Sequence, residues 1–469
     1  MYARPTGSFR MRRLCAFVLP VCLLTCACDS GGDGKGEEFE PGGCGLAGYS
    51  WLPKEQVGAI ISHAEVAGVT SEDMDLQLIM AGMEALTPVP YGTRVFKLRY
   101  TTQDKGQPVE ATGLVALPWN DGATGESHST MLYLHGGIGM AHECVHGDWG
   151  LLMEMLAQLW ATMGFVTLLP DYIGLDRDAD PDNPPTTRHP FLVMEATAIS
   201  ALDMLRATER LLAEDLSDLV TTDDKLAMAG VSQGGHAVFS CDLFTPFYAP
   251  EFTFDAALAS VPGVDLVSSM RLGMSETNDT TGMIAMLFTT QHLWYEGEDS
   301  MDDLLVSGEP WKAREKATEL LESGCVEDMV VSFREIPVIS DVFRSDVRDA
   351  LMSGRWDEAE PWSCYLLDNS PLHTTRVSRA RETPMLFQIS EHDEYIPAEN
   401  MRENLGTLCD DGYRLDFLEC AGVEHTKGAL DSLPEQVDWL ADRLSGNPIP
   451  AGDLCRVKPP VTCTGDSSF

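Results

Sequence analysis

Basic residues are scarce in this chain of 469 residues, and their shortage is the first constraint on its function. It contains 32 lysine and arginine residues against 73 aspartate and glutamate residues, so its formal net charge is −41. A surface this acidic repels the phosphate backbones of DNA and RNA, so we expect no nucleic-acid partner. The same charge favours solubility and tolerance of salt.

Two further features are missing from the sequence. None of its 13 cysteines forms a Cys-x-x-Cys pair or a Cys/His cluster with the spacing of a zinc site. After the first 30 residues, no apolar run is long enough to predict a membrane-spanning helix. The cysteines are therefore expected to form disulfides rather than a metal site, and we expect neither a metal nor a cofactor.

The first 27 residues are predicted to be a signal peptide. Arg10, Arg12 and Arg13 precede an apolar stretch from Leu14 to about Thr25, and Ala27 comes directly before Cys28. This order resembles a bacterial lipoprotein signal, which predicts cleavage before Cys28, lipidation of that cysteine and a flexible tether over residues 28–43. Lipidation at Cys26 and plain secretion remain the alternatives.

Export places the chain in an oxidising compartment, where cysteines pair. Nine cysteines remain after the signal and the lipidation site, and an odd number leaves at least one of them free. We expect Cys409 and Cys420 to form a disulfide that braces the strand between them. The nine are Cys44, Cys144, Cys241, Cys325, Cys364, Cys409, Cys420, Cys455 and Cys463.

The hydrophobic pattern predicts an α/β fold with a mainly parallel sheet flanked by helices. Alternating runs at 94–100 and 109–117 are typical of a half-buried antiparallel pair. Continuous apolar runs then alternate with helical patterns, which indicates parallel strands buried on both faces. The continuous runs are 131–134, 165–169, 226–231, 254–261 and 385–389, and the helical patterns are 149–163, 193–216 and a segment from about 234.

The alternation stops between residues 264 and 378, where three helical patches indicate a helical cap over the sheet edge. The sequence thus divides into a first core part with an N-terminal extension, the cap, and a second core part with a C-terminal tail. The first part covers 44–263 and the second covers 379–469.

The strongest motif is Gly230-Val-Ser-Gln-Gly234, at the end of a buried strand and the start of a helix. A Gly-x-Ser-x-Gly in this setting predicts a sharp turn that exposes the serine hydroxyl, with glycines where strand and helix come close. It makes Ser232 the candidate nucleophile. A glycine-rich turn without chemistry is the alternative.

A serine hydroxyl needs a base, and the base needs an orienting acid. Asp393 follows the predicted strand 385–389 and is the expected acid, with Glu391 and Glu394 as alternatives. His425 lies between a short strand at 413–418 and the last helix, and is the expected base. His236, at the start of the nucleophile helix, and His392, beside the acid, are expected to be structural.

Two backbone N–H groups are needed to stabilise the oxyanion. The first is expected from Gln233, the residue after the nucleophile. The second is expected from the loop that follows strand 131–134, where Gly137 is the first choice and His135 is expected to brace the loop.

The sequence resembles the secreted lipase/esterase branch of the α/β-hydrolases, from about residue 94 to residue 455. The resemblance implies an α/β-hydrolase fold and a triad of Ser232, Asp393 and His425 that hydrolyses small-molecule or lipid esters. Ser390 departs from the pattern, since relatives usually have glycine before the acid loop. The motifs that carry it are Tyr100-Thr-Thr, Ala111-Thr-Gly-Leu-Val-Ala-Leu-Pro118, His135-Gly-Gly137, Pro170-Asp-Tyr-Ile-Gly174, His189-Pro-Phe-Leu192, Gly230-Val-Ser-Gln-Gly-Gly-His236, Asn369-Ser-Pro371, Asp393-Glu-Tyr-Ile-Pro397 and Asp438-Trp-Leu-Ala-Asp-Arg443.

The sequence is compatible with three functions. A carboxylesterase or lipase accounts for the whole motif set. A serine exopeptidase would need a charged group to hold a peptide terminus, and the many acids of the predicted cap offer candidates. A non-catalytic surface binding protein on the same fold is disfavoured by the intact serine, aspartate and histidine.

Overall fold

The computed structural model describes residues 39–66, 68–120, 126–179, 187–377 and 383–464. The predicted signal peptide and Cys28 lie outside these residues. Nine strands run through the described part of the chain. They are β1 (Ile60–Val66), β2 (Gly92–Asp104), β3 (Gln107–Trp119), β4 (Ser127–Leu134), β5 (Val166–Pro170), β6 (Thr221–Val231), β7 (Ala256–Ser260), β8 (Pro384–Ser390) and β9 (Arg414–Cys420).

These strands form one sheet in the order β1-β2-β3-β5-β4-β6-β7-β8-β9. The first three strands and the β3–β5 pair are antiparallel, and all pairs from β5 to β9 are parallel. The antiparallel pair predicted from period-2 runs is β2 with β3. The fold is therefore the mainly parallel α/β-hydrolase arrangement that the sequence indicated.

Helices cover both faces of the sheet, and each face has its own apolar core. In the described residues they are α1 (Ser71–Met80), α2 (Asp148–Thr162), α3 (Met194–Glu214), α4 (Gln233–Tyr248), α5 (Leu266–Ser275), α6 (Asp279–Trp294), α7 (Ala313–Ser323), α8 (Val326–Arg334), α9 (Ser345–Met352), α10 (Trp362–Asp368), α11 (Ala398–Asp410), α12 (His425–Asp431) and α13 (Leu433–Leu444). None of them combines the length and the hydropathy that crossing a membrane requires.

Strand β1 is absent from the sequence prediction, which placed no strand in the N-terminal extension. Every side chain of β1 after Ile60 is exposed. An edge strand without a buried face has no hydrophobic alternation, so its sequence carries no period-2 signal. It pairs antiparallel with β2 through backbone hydrogen bonds.

Six helices, α5 to α10, lie between β7 and β8, where the sequence predicted the cap. They enclose a third apolar core of their own. Two disulfides tie this segment to the rest of the chain: Cys44–Cys364 joins the N-terminal residues to α10, and Cys144–Cys325 joins the start of α8 to the segment before α2. The domain boundaries remain a prediction.

The predicted Cys409–Cys420 disulfide is wrong. Cys409 lies in α11 before β9 begins and Cys420 ends that strand, so seven residues of extended chain, roughly 23 Å, separate them. The C-terminal tail runs beside β9, where Val461 N–H donates to Glu419 O at 2.9 Å. The tail therefore supplies both partners, in Cys409–Cys455 and Cys420–Cys463, and Cys241 is left free and buried.

Candidate active site

Ser232 occupies the turn between β6 and α4. Its backbone has φ 58° and ψ −114°, a left-handed conformation that a residue with a side chain adopts only when neighbours enforce it. Its N–H donates to Ser260 O on the adjacent strand at 2.9 Å, and its own carbonyl accepts from His236 N–H at 3.1 Å. These bonds hold the strained turn.

The glycines on either side of Ser232 are required by close backbone contacts. A Cβ on Gly230 would lie 2.2 Å from Gly234 O, and a Cβ on Gly234 would lie 1.9 Å from Leu134 O. Any larger residue would push the strand and the helix apart. The Gly-x-Ser-x-Gly spacing thus has the steric cause that the sequence predicted.

Asp393 and His425 lie together, although 32 positions separate them in the chain. The Asp393 Oδ2 atom is 2.7 Å from His425 Nδ1, and both residues are buried. The other carboxylate oxygen accepts N–H bonds from Tyr395 at 3.0 Å and Ile396 at 2.7 Å. The carboxylate is therefore fixed from both sides, and it fixes the imidazole in turn.

The alternative acids contact backbone instead of the imidazole ring. Glu391 accepts from Gly422 N–H at 2.7 Å, and Glu394 accepts from the backbone N–H of His425 at 2.9 Å. Both therefore shape the loop that carries His425, and neither reaches its ring nitrogen with a bond of this kind. Among the three acids, Asp393 has the orienting geometry.

The alternative bases occupy different surroundings. His236 is buried in α4, where its Nε2 lies 2.8 Å from Asn369 O, and burial lowers its pKa to about 4. His392 is exposed and contributes its backbone N–H to Val423 O. His373 contacts Asp265 at 3.0 Å. Of these histidines, only His425 contacts Asp393 in the described structure.

The loop after β4 faces the start of α4. Gly137 and Gln233 line one cavity together with Ser232 and His425. His135 contacts its own loop, with Nδ1 2.6 Å from Gly136 O, and its ring packs against Tyr172. Gly137 and Gln233 thus lie at the same cavity as Ser232, and their role as oxyanion donors stays a prediction.

The helical segment holds this same loop. Met140 N–H donates to Gly324 O at 2.8 Å, and Val326 N–H donates to Ile138 O at 3.1 Å. The Cys144–Cys325 disulfide closes the contact. The glycine loop therefore depends for its position on residues almost 190 positions further along the chain.

The Gln233 side chain is held by a buried histidine that the sequence motif did not assign. Its Nε2 lies 3.0 Å from His189 Nε2, and His189 Nδ1 lies 3.1 Å from Ile173 O. Burial lowers the pKa of His189 to about 3, so the ring is neutral. These partners assign the proton to Nδ1 and make Nε2 the acceptor for Gln233.

The cavity at Ser232 has a volume of about 700 Å³ and a mainly apolar wall. One side comes from α2 and another from α5, α6 and α8. Besides His425, the charged side chains that line this cavity in the described structure belong to the Asp393 loop, the His425 loop and α12. Within the described structure, residues 264–377 contribute no charged side chain to the wall. Large apolar lining residues include Trp149, Leu152, Leu156, Trp160, Met283 and Leu287.

Ser390, the departure from the family pattern, is accommodated by a glycine on the facing helix. A Cβ on Gly428 would lie 1.9 Å from Ser390 Oγ. The side chain that β8 gains at Ser390 therefore occupies space that α12 leaves empty. The departure does not displace the neighbouring Asp393, whose contact with His425 is intact.

Comparison with known proteins agrees with this geometry. The family model described as secretory lipase matches residues 149–452, about two thirds of the chain. The chain belongs to the secretory lipase family. Lipases are carboxylic ester hydrolases, and the α/β-hydrolase resemblance stated from the motifs is confirmed.

Individual relatives of this secretory lipase are distant. Lipase A of Arthroderma benhamiae is 28% identical over 295 residues, which cover 62% of this chain and 55% of the relative, so the match spans about half of that relative's length. The rice cell wall degrading esterase LipA of Xanthomonas oryzae superposes with a TM-score of 0.66 at 18% identity, over 83% of this chain and 99% of the other. Candida antarctica lipase A in its closed state superposes with a TM-score of 0.63 at 15% identity, over 92% of this chain and 90% of the other. The two structures support the fold.

Some residues around the site were missed by the sequence reasoning. His189 was part of a motif but had no assigned contact, and Ser260, Gln388 and Gln436 were not singled out. One signal was present, because Gln388 is the only polar residue inside the apolar run 385–389. A buried polar residue in such a run requires a hydrogen-bond partner.

Proposed function

We propose that this secretory lipase hydrolyses carboxylic esters through an acyl-enzyme on Ser232. The observation that carries the proposal is the contact of His425 with Asp393 in a cavity that also exposes Ser232. His425 takes the proton of the Ser232 hydroxyl as the oxygen attacks the ester carbonyl. Asp393 orients the imidazole and stabilises its positive charge.

The tetrahedral intermediate carries a negative oxygen, which the backbone N–H groups of Gln233 and Gly137 stabilise. The start of α4 adds the positive end of its helix dipole. His425 then protonates the leaving alcohol, and the acyl group remains on Ser232. Water, deprotonated by the same histidine, cleaves the acyl-enzyme and restores the hydroxyl.

The apolar wall of the cavity supports an apolar acyl group as the preferred substrate part. The exopeptidase alternative has less support, since the charged side chains of the described wall flank His425 and do not come from the helical segment. Two of these charged side chains, Lys427 and Asp431, form an ion pair with each other. Hydrolysis of esters is therefore the function that the geometry supports best.

A panel of p-nitrophenyl esters assayed beside aminoacyl nitroanilides tests this function. We expect turnover of the esters and covalent labelling of Ser232 by a fluorophosphonate, detected by peptide mass spectrometry. Turnover of nitroanilides alone would favour the exopeptidase. Absence of both activities, with Ser232 unlabelled, would favour a binding protein.

The four disulfides and the secretory family indicate an exported protein. We further propose that the mature chain begins with a lipidated Cys28 and is held at a membrane surface. The acyl chains of a lipoprotein anchor stably, whereas a single chain does not. Cys28→Ser should release active enzyme into the soluble fraction. A wild-type protein found wholly soluble, with another N-terminus, would contradict the anchor.

A further inference from the structure

Four polar side chains form a buried cluster beneath the nucleophile turn. They are Ser260 at the end of β7, Gln388 in β8, and Ser432 and Gln436 around the start of α13. All four are at most 4% exposed. Buried polar groups are costly unless they are hydrogen-bonded, so their partners identify what the cluster holds in place. We call these four residues the floor cluster.

One side of the floor cluster holds the nucleophile. Ser260 pairs with Val231 across β6 and β7, and its carbonyl accepts the N–H of Ser232 at 2.9 Å. Ser232 has the strained φ of 58°. A strained conformation persists only where neighbouring contacts fix it, and this bond is one of them.

The opposite side holds the helix that begins with His425. The Gln388 amide Nε2 donates to Gly428 O at 3.4 Å, and the Gln436 amide Nε2 donates to Ala429 O at 3.2 Å. Gly428 and Ala429 are the fourth and fifth residues of α12, the helix that begins with His425. Gln388 Nε2 also donates to Ile389 O in its own strand at 2.9 Å. The two glutamines therefore contact carbonyls about one turn after the proposed base, in the same helix.

The Ser260 hydroxyl connects the two sides. It donates to Gln388 Oε1 in a short hydrogen bond, and it lies 3.5 Å from Gln436 Nε2. Gln436 Nε2 also donates to Ser432 Oγ at 2.8 Å, so its two hydrogens serve several acceptors. Within the described structure, this hydroxyl is the group of the cluster that contacts both glutamines.

We propose that Ser260 is a positioning residue for ester hydrolysis, whose hydroxyl sets the placement of His425 relative to Ser232. The inference rests on the proposed function, because it concerns the same serine and histidine. Ser260 acts through its bonds to the two glutamines and its carbonyl bond to Ser232. Displacement of a reacting group by about 1 Å can cost about 100-fold in rate, so loss of the link should appear in turnover.

The decisive variant is Ser260→Ala, which removes the hydroxyl and keeps the backbone carbonyl that binds Ser232. We expect kcat on a soluble p-nitrophenyl ester to fall about 10-fold to 100-fold, with KM within about twofold of the wild type. The rate of fluorophosphonate labelling of Ser232 should fall in parallel, because it reports the same alignment.

Ser240→Ala is the matched control. Ser240 is equally buried, and its hydroxyl donates to His236 O at 2.9 Å in α4, away from α12. We expect this variant to lose stability in urea unfolding as Ser260→Ala does, yet to keep kcat within about twofold. Equal losses of kcat in both variants would overturn the proposal, and so would normal kcat in Ser260→Ala.

A double-mutant cycle with Gln436→Leu provides the second measurement. If the two side chains act as one unit, kcat of the double variant should be only slightly lower than kcat of the less active single variant. Fully multiplicative losses would contradict the link. Ser232→Ala, measured in parallel, separates this question from the proposed function, because its full activity would refute the nucleophile whatever the floor cluster does.

Discussion

The Nδ1 atom of His425 lies 2.7 Å from Oδ2 of Asp393, across two loops that follow the adjacent parallel strands β8 and β9. Parallel strands end at the same sheet edge, so residues just after them meet there. The carboxylate is held on its other oxygen by two backbone N–H groups. The carboxylate therefore orients the imidazole through Nδ1, as the proposed mechanism requires.

Ser232→Ala should abolish ester hydrolysis without unfolding the protein. The proposed triad acts as a unit, so we expect a loss of kcat of about 10³-fold or more. Steady-state assays on a soluble ester measure the activity, and circular dichroism measures whether the variant is folded. An alanine variant that keeps most of its activity, with another serine labelled by fluorophosphonate, would refute the nucleophile.

His425→Ala should remove activity, and Asp393→Asn should lower kcat strongly because the imidazole loses its orienting charge. His392→Ala is the control, since this exposed ring is absent from the cavity wall. We expect it to keep activity within about twofold. Normal turnover of the His425 variant beside an inactive His392 or His236 variant would reverse the assignment.

Leu152→Trp should shift the enzyme toward shorter acyl groups. Leu152 lines the cavity and is only partly buried, so a larger side chain there fills substrate space. We expect kcat/KM for a dodecanoate ester to fall about 10-fold or more relative to an acetate ester. Leu151→Trp is the matched control, because Leu151 is 54% exposed and does not line this cavity. An unchanged chain-length profile in Leu152→Trp would place the acyl group elsewhere.

Removal of the Cys144–Cys325 disulfide by a double serine substitution should loosen the glycine loop. The bridge spans 181 positions and joins α8 to the segment that follows the Gly137 loop. We expect a stability loss of about 2–5 kcal/mol and a fall in kcat that exceeds the change in KM. The Cys409–Cys455 double variant, which does not contact that loop, should lose stability with a smaller effect on kcat. The reverse order of the two kcat effects would contradict this coupling.

Buried His236 should make the protein less stable in acid. Burial lowers its pKa to about 4 in the folded protein, against about 6.5 in an unfolded chain. Between these values the unfolded state binds more protons, so the free energy of unfolding falls as pH falls from about 6.5 to 4. The full effect is on the order of 3 kcal/mol.

His236→Gln keeps a donor for Asn369 O and cannot take up the proton, so the loss between pH 6.5 and 4 should be smaller than in the wild type. Urea unfolding at a series of pH values measures this loss in the free energy of unfolding. His146→Gln, at an exposed histidine, should leave the pH dependence as it is. A His236→Gln variant with the wild-type slope would show that another group controls acid stability.

Most elements of the fold could be predicted where burial is periodic. The helix expected at 149–163 is Asp148–Thr162, and the one at 193–216 is Met194–Glu214. The exposed strand β1 was missed because its residues have no buried side, and the Cys409–Cys420 pair was wrong because spacing in sequence does not give direction in space. Periodicity reports burial, and it reports nothing about which distant segments meet.

The sequence by itself determined the mainly parallel α/β fold and the local setting of Ser232. Gly230, Ser232 and Gly234 encode a turn whose steric needs are read from adjacent residues, and the order of serine, acid and histidine follows the chain. Only the tertiary structure decided that Asp393 rather than Glu391 or Glu394 faces the imidazole, because a rotation of one loop selects among three neighbouring acids. It also decided the disulfide partners and the hydrogen bonds of Ser260 to Gln388 and Gln436, since these join residues brought together only when β7, β8 and α13 pack.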